Sequence, residues 1–405
     1  MSASMSNRAS SGHSGESDRP GGVDWVARAR AVAPILAAAA DEIERERELP
    51  AHVLAALHEA RLFRLLLPRA YGGAEVEPAI YFQVIEEIAK ADASTAWCLG
   101  QGCGGSFAAA YLKPDVARAI FGDSRAVAAS GPSFGKAVAV DGGYRVSGAW
   151  AFASGSKHAS WLAGHCLVQE ADGSPRLGDD GTPFERTMFF PKSSATFTDI
   201  WQVIGLKGTG SDRFAVNDLF VPADYSYTRE HAPERREPGT LYRFSSYHMF
   251  GVGFAGLALG VAAATLEDFI ALACAKTPTN ATQALRHNAL VQFQTGLAAA
   301  QVQSARAFML QHLRELWDTA AGGETISMDQ RAKLRMAITF AIYQAREVVD
   351  AAYNAAGATA IFERNPFERR FRDMHTASQQ LQAHASNLEL VGQHLLGLEP
   401  RSKML

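Results

Sequence analysis

The pattern of apolar positions changes twice along the chain. Val53, Leu54 and Leu57 recur at helical spacing, and Phe82, Ile85 and later positions repeat the pattern. Residues 23–120 are therefore predicted to be helical. Between 121 and 230 the apolar segments shorten, and turn residues arrive about every ten positions, which predicts β-strands. From 240 to 400 long segments with few breakers predict helices again.

The order of these elements predicts an α+β chain with several domains. A polar tail over 1–22 precedes an N-terminal helical domain over 23–120, and the tail's composition is typical of disorder. Short strands with glycine turns over 121–230 predict a small β-barrel or sandwich. Alanine- and glycine-rich faces over 240–400 predict helices that pack closely in a C-terminal bundle.

Composition excludes several classes of function. The chain has 39 Lys and Arg against 42 Asp and Glu, a formal charge of −3, which argues against a nucleic-acid partner. No run of about 18 apolar residues is evident, so no membrane span is expected. Four scattered cysteines do not make a disulfide framework, and a cytoplasmic location is the natural expectation.

Two apparent motifs carry little weight. Gly251, Gly253 and Gly256 spell G-x-G-x-x-G, but no strand-like segment precedes them, and we interpret them as helix-packing glycines. The histidines show no His-x-x-x-His spacing and no carboxylate cluster beside them, so no metal site is predicted.

Three stretches have chemical potential, each with a simpler alternative. Residues 144–161 pair aromatic side chains with small hydroxyls, which suits a planar cofactor or an ordinary aromatic core. Residues 205–212 combine glycines with Thr and Ser, which could wrap an anion or form a simple turn. Residues 357–375 place a glycine before four arginines, which could hold phosphate or pair with nearby glutamates.

In this order and at these distances, the stretches resemble the acyl-CoA dehydrogenase superfamily of flavoproteins. The resemblance covers about residues 24–400 and implies an N-terminal helical domain, a middle β-domain and a C-terminal four-helix bundle, usually in a homotetramer. The segments SGAWAFASGSKHASW and GLKGTGS are similar to one branch, the oxygenase components of two-component flavin monooxygenases.

The resemblance also implies roles for particular residues. Ser154 would lie beside the flavin N5, Gln380 stands where many relatives carry a histidine, and His158 is a candidate acid or base with a loop histidine as the alternative. The expected flavin contacts are Ser130, Gly131, Phe152, Ser154, Thr209, Ser211, Arg286 and Gly357. The expected lining of the substrate pocket is Trp97, Phe107, Trp161, Tyr247 and Gln380.

One chemical requirement separates the two activities known in this superfamily. Thioester dehydrogenation needs a carboxylate base over the substrate. The common position of that base, nine residues after Arg372, is Leu381, and no acid occurs over 376–388. The rarer position, at the start of the first bundle helix, is also empty, because 245–266 contains no acid.

The sequence therefore favours a monooxygenase. Its resemblance to the oxygenase branch implies that reduced FAD or FMN, delivered by a separate flavin reductase, reacts with O2 to a C4a-hydroperoxide that oxygenates a small aromatic or heteroaromatic substrate. An acyl-CoA dehydrogenase with a displaced base and a non-catalytic scaffold are the alternatives.

Overall fold

The N-terminal part of the molecule is a layer of five helices. The computed structural model describes residues 22–178 and 180–400, so the predicted tail lies almost wholly outside the described residues. The five helices are α1 (Trp25–Glu46), α2 (Ala51–Glu59), α3 (Pro78–Ala91), α4 (Ala93–Ser106) and α5 (Pro114–Phe121). Helix α4 begins where the Asp92 carboxylate accepts the Thr95 N–H at 2.6 Å, which satisfies a free amide of its first turn.

The middle part is one mixed sheet of seven strands. The strands are β1 (Ala128–Val140), β2 (Gly143–Trp150), β3 (Trp161–Gln169), β4 (Glu185–Pro191), β5 (Thr196–Thr198), β6 (Arg213–Pro222) and β7 (Ser226–Tyr227). Their order across the sheet is β5-β6-β2-β1-β3-β4-β7. A small barrel or a sandwich was expected for this part. The described strands instead form a single sheet, with β5 and β7 at its two edges.

The central pair of this sheet has a consequence for the site. Strands β1 and β2 pair antiparallel as a hairpin, whereas β1 and β3 run parallel, with an irregular register between Ser130 and Phe134. Pro132 lies inside that irregularity and has no N–H to donate to the ladder. The bulge turns residues 130–132 out of the regular sheet and toward the helices.

The C-terminal part is a helical bundle. Its helices are α6 (Ser246–Ala275), α7 (Ala289–Ala321), α8 (Met328–Ala356), α9 (Pro366–Ala377) and α10 (Ser386–Leu395). The expected order of N-terminal helices, middle sheet and C-terminal helices is confirmed, although the described C-terminal part has five α-helices where four were expected.

Glycines of the G-x-G-x-x-G segment lie inside α6 and let it approach α3. A Cβ at Gly253 would lie 2.5 Å from the Tyr81 hydroxyl, and one at Gly256 would lie 2.8 Å from the Phe82 carbonyl oxygen. No side chain fits at these distances, so the helix-packing interpretation is confirmed and no dinucleotide motif exists here.

Helix α6 also corrects the expectation about apolar runs. Within the described residues it is the one helix long and apolar enough to cross a membrane, yet 83% of its most apolar window is buried inside the protein. It is the central helix of the bundle, packed against α3 and α8. The sequence analysis did not recognise this helix as a long apolar run, because glycine and alanine alternate in it with the larger apolar side chains.

Candidate active site

An aromatic-walled cavity lies where the three parts of the fold meet. Its volume is about 660 Å³. Helices α4, α6 and α9, the β1 bulge and the loops after β2 and β5 all contribute to its wall. The lining includes seven of the predicted site residues, Trp97, Ser130, Gly131, Phe152, Ser154, Ser211 and Gln380.

The loop after β2 presents Phe152 and Ser154 to this cavity. Phe152 adopts a left-handed backbone conformation, with φ of 57°, and its ring is 59% exposed although it is a large apolar group. Its edge meets the ring of Trp201 with centroids 6.0 Å apart. A backbone bond from the Ala153 N–H to the Asp212 carbonyl, 3.1 Å long, ties this loop to residues 209–212.

The hydroxyl of Ser154 is held by two neighbours. The indole Nε1 of Trp97 donates to Ser154 Oγ at 2.9 Å, and Ser154 Oγ lies 2.6 Å from Ser211 Oγ. Ser154 is 6% exposed, and that exposure is to the cavity. Both contacts fix the rotamer of a small side chain that would otherwise rotate freely.

Gln380 is part of the lining of the same cavity. Its Oε1 accepts the backbone N–H of Gln382 at 2.6 Å, which fixes the orientation of the amide. Its Nε2 is buried and has no hydrogen-bond partner in the described part of the chain. A buried N–H group without a partner is costly, and a bound ligand with an acceptor would satisfy it.

Sequence reasoning missed three charged or titratable residues of the lining. His165 on β3 bonds the Thr187 hydroxyl through Nδ1 at 2.9 Å, and burial holds the pKa of its imidazole well below the ordinary value. His375 on α9 bonds Asp350 through Nε2 at 2.7 Å. The sequence correctly predicted a strand region around His165 and a helical region around His375. Which histidine faces the cavity, however, depends on how these elements pack against each other.

Arg229 is the third missed residue. Its guanidinium carbon lies 4.8 Å from the ring centroid of Tyr247, and it makes no ion pair with a carboxylate in the described ranges. It is therefore a cation on the cavity wall whose charge is not neutralised by a neighbour. In the sequence it stands at the end of the predicted β-domain, in a polar stretch where nothing marks it as a site residue.

Carboxylates are absent from the lining as far as the structure describes it. Leu381, at the common position of a dehydrogenase base, lies at the cavity and is 60% exposed. Asp350 is occupied by His375, and Asp373 accepts the Leu206 N–H at 2.6 Å beneath the cavity floor. The site thus lacks the group that would remove a proton from a thioester.

Three of the expected pocket residues do not line the cavity. Phe107 is buried, 5.1 Å from Tyr242 in an edge-on ring contact, and belongs to the helical core. Trp161 stacks on Tyr225, 5.7 Å away. Tyr247 is not part of the lining, and its ring lies against the Arg229 guanidinium. The sequence could not separate these rings from pocket residues, because aromatic side chains occur both in cores and in pockets.

His158 is also away from the cavity, which corrects its expected role as acid or base. It is packed near the Phe63 ring, with centroids 5.7 Å apart, and its Nε2 is buried without a partner among the described residues. Burial lowers the pKa of its imidazole to about 3, so the ring is neutral near pH 7.

Arg286 and Gly357 lie together at the far end of the bundle. Leu285 N–H donates to the Lys276 carbonyl at 2.9 Å, and Lys276 Nζ donates to the Ala356 carbonyl at 2.8 Å. Neither residue lines the cavity. A role in holding the flavin's tail therefore needs a ligand that reaches this end, or a second subunit that brings it near.

The arginines of α9 are paired within the protein. Arg369 and Arg372 bond the Glu44 carboxylate at 2.7 and 2.6 Å, and Lys207 joins them at 3.0 Å. Burial alone would raise the pKa of Glu44, but bonds from Arg372 and Lys207 lower it to about 2. These arginines lock α9 to α1, and the glutamate-pairing alternative is the correct one for them.

Comparison with known proteins now identifies the family. Residues 26–112 match the acyl-CoA dehydrogenase N-terminal domain, and residues 252–385 match the acyl-CoA dehydrogenase C-terminal domain. Together the two ranges cover more than half of the chain. The chain belongs to the acyl-CoA dehydrogenase superfamily.

Within the superfamily it lies among oxygenase components of flavin-dependent monooxygenases. Indole-3-acetate monooxygenase of Pseudomonas putida is 28% identical over 89% of this chain and 90% of its own length. The oxygenase subunit HsaA of Mycobacterium tuberculosis is 27% identical over 90% of this chain and 93% of its own length. The structure of XiaF from Streptomyces sp. with FADH2 and glycerol has a TM-score of 0.87, 24% identity, and covers 94% of this chain and 97% of its own.

Proposed function

We propose that this protein is the oxygenase component of a two-component flavin-dependent monooxygenase. It takes reduced FAD or FMN from a separate flavin reductase and uses O2 to oxygenate a small aromatic or heteroaromatic substrate. The observation that carries the proposal is an aromatic-walled cavity with Ser154 and the Gln380 amide in its wall and no carboxylate in the described lining.

The residues present fit a flavin. Gly131 lets the β1 bulge pack closely on the loop after β2, because a Cβ at this position would lie 2.4 Å from the Ala151 carbonyl oxygen. Ser130, Gly131, Phe152 and Ser154 would hold the flavin ring at the ends of β1 and β2. When bound, the reduced flavin supplies the electrons that activate O2.

The chain's own residues would then position the substrate and exclude water. The rings of Trp97 and Phe254, with centroids 4.5 Å apart, form an apolar wall between α4 and α6. Such a wall removes water that would quench reactive oxygen. Gln380 would orient the substrate with its free N–H, since an amide cannot act as a base near pH 7.

Oligomerisation and location extend this proposal. Leu290, Phe293 and Leu297 form an exposed apolar face on α7, which suits packing against a second copy in a homotetramer. The three buried cysteines, Cys98, Cys103 and Cys166, are free thiols, which suits the cytoplasm.

A reconstituted reaction tests the function. The purified protein, an unrelated flavin reductase, NADH, FMN or FAD and O2 should convert a member of an aromatic panel that begins with indole-3-acetate, with mass spectrometry detecting one added oxygen. Parallel mixing of oxidised flavin-loaded protein with acyl-CoA thioesters should leave the flavin absorbance unchanged. Bleaching by a thioester, with no oxygenated product, would show a dehydrogenase instead.

A further inference from the structure

A chain of hydroxyl groups leads away from the cavity behind Ser154. Ser154 Oγ lies 2.6 Å from Ser211 Oγ, which lies 2.7 Å from Thr209 Oγ1. Thr209 Oγ1 in turn lies 2.8 Å from the carbonyl oxygen of Leu206. Thr209 is 2% exposed and does not line the cavity.

The positions of the protons in this chain follow from counting. There are three oxygen–oxygen contacts and three hydroxyl protons, and a carbonyl can only accept. Thr209 must therefore donate to Leu206, because two oxygens 2.8 Å apart with no proton between them repel each other. Ser211 must then donate to Thr209, and Ser154 must donate to Ser211.

Ser154 is left with no proton for the cavity. It accepts from Trp97 Nε1, donates to Ser211, and has one remaining lone pair that faces the cavity. A group bound there is stabilised when it donates a hydrogen bond and is repelled when it offers only a lone pair. The N5 atom of a flavin carries a proton in the reduced form and a bare lone pair in the oxidised form.

We propose that Thr209, acting through Ser211, fixes Ser154 as a hydrogen-bond acceptor and thereby makes the cavity select reduced over oxidised flavin. This inference rests on the proposed function, and it assigns Thr209 a positioning role at a distance from the ligand. Such selection would serve an enzyme that must take reduced flavin from a pool containing the oxidised form and release the oxidised form after turnover.

The end of the chain is held firmly enough to act as an anchor. The Leu206 N–H donates to the buried Asp373 carboxyl at 2.6 Å, and Trp201 Nε1 donates to the Leu206 carbonyl at 3.0 Å. Loss of the Thr209 hydroxyl leaves the carbonyl bonded to Trp201. The backbone of Thr209 also holds Gly155 N–H at 3.0 Å, a bond that no side-chain substitution removes.

Thr209→Val removes the hydroxyl and keeps the shape of the side chain. The Ser211 proton then loses its acceptor at residue 209 and turns toward Ser154, whose own proton turns toward the cavity. We expect the ratio of the oxidised-flavin Kd to the reduced-flavin Kd to fall about tenfold, the effect of one hydrogen bond. Thr209→Ser keeps the hydroxyl and should keep the wild-type ratio.

Anaerobic titrations with dithionite-reduced and oxidised FMN and FAD measure both constants without turnover. A selective wild type, a Thr209→Ser variant like it and a less selective Thr209→Val support the proposal. Equal ratios in all three proteins would overturn it while leaving the proposed function intact. A wild type that binds neither redox form would overturn both. Should Thr209→Val not fold, Ser211→Ala frees the same Ser154 proton and must lower the ratio likewise.

Discussion

The indole N–H of Trp97 on α4 donates a hydrogen bond to the hydroxyl of Ser154, in the loop after β2, over 2.9 Å. Fifty-seven residues separate the two in sequence. The bond joins the helical domain to the sheet at the cavity wall, so the orientation of the proposed flavin contact depends on both domains.

Ser154→Ala tests the proposed contact with the flavin. We expect the variant to fold and bind reduced flavin, but to release more H2O2 in place of oxygenated product, because the bond that Ser154 would make to the flavin N5–H is lost. One such bond is worth about 1–3 kcal/mol, or roughly tenfold or more in the rate of the uncoupled reaction. The measurement is the ratio of H2O2 to product in the reconstituted assay. An unchanged ratio would show that Ser154 does not contact the reacting part of the flavin.

Gln380→Ala should affect substrate rather than flavin. Its Nε2 is the buried donor without a partner among the described residues, so its removal takes away one substrate bond. We expect KM to rise or kcat to fall by about tenfold, with flavin affinity and the H2O2 yield in the absence of substrate unchanged. Gln379→Ala, a change at a neighbouring lining residue, is the control. Equal effects of both variants would point to loosening of the loop instead.

Arg229→Met tests whether the cavity prefers anionic substrates. The arginine has no carboxylate partner in the described ranges and faces the cavity, so it is free to pair with an acid group of the substrate. We expect kcat/KM for an aromatic acid such as indole-3-acetate to fall about tenfold or more, while indole itself changes little. Arg229→Lys should recover part of the loss. A matched fall for both compounds would assign Arg229 a structural role on Tyr247.

Asp373→Asn tests a pH dependence of stability. Burial is the main cause that raises the pKa of the Asp373 carboxyl, to about 7. The folded protein therefore holds a proton that the unfolded chain releases above about pH 4, and this contribution to stability is lost as the pH rises toward 7. Asparagine keeps the acceptor for the Leu206 N–H but cannot ionise. Between pH 5.5 and 8.5 the Tm of the wild type should fall by roughly 5 °C more than the Tm of the variant. If the Tm values of both proteins change equally with pH, the prediction is wrong.

Phe293→Asp tests the proposed oligomer. The ring is 67% exposed on α7, in the apolar face shared with Leu290 and Leu297. A buried charge at an interface between copies is strongly unfavourable, so light scattering after size exclusion should show smaller particles than the wild type. Leu177→Asp, on the β-domain, is the control and should keep the wild-type mass. A monomeric wild type that binds flavin would refute the tetramer outright.

Local pattern alone determined the order of helices, sheet and bundle, because helical spacing, segment length and turn residues can all be read from neighbouring positions. The resemblance to the acyl-CoA dehydrogenase superfamily, and not the pattern, pointed to Ser154 and to the absence of a base at Leu381, since both positions are counted from the family's motifs. The helix-packing character of the α6 glycines was likewise readable, because no strand-like segment precedes them.

Only the tertiary structure decided which side chains share the cavity. His165, Arg229 and His375 come from three separate elements, and nothing local distinguishes them from His158, which the fold buries elsewhere. The same holds for Trp97 in the cavity against Phe107 in the core, both aromatic residues of the N-terminal helical domain. The direction of the Ser154–Ser211–Thr209 hydroxyl chain depends on a carbonyl that the loop at Leu206 brings within 2.8 Å. Such proximity arises from long-range packing, which single-residue patterns do not encode.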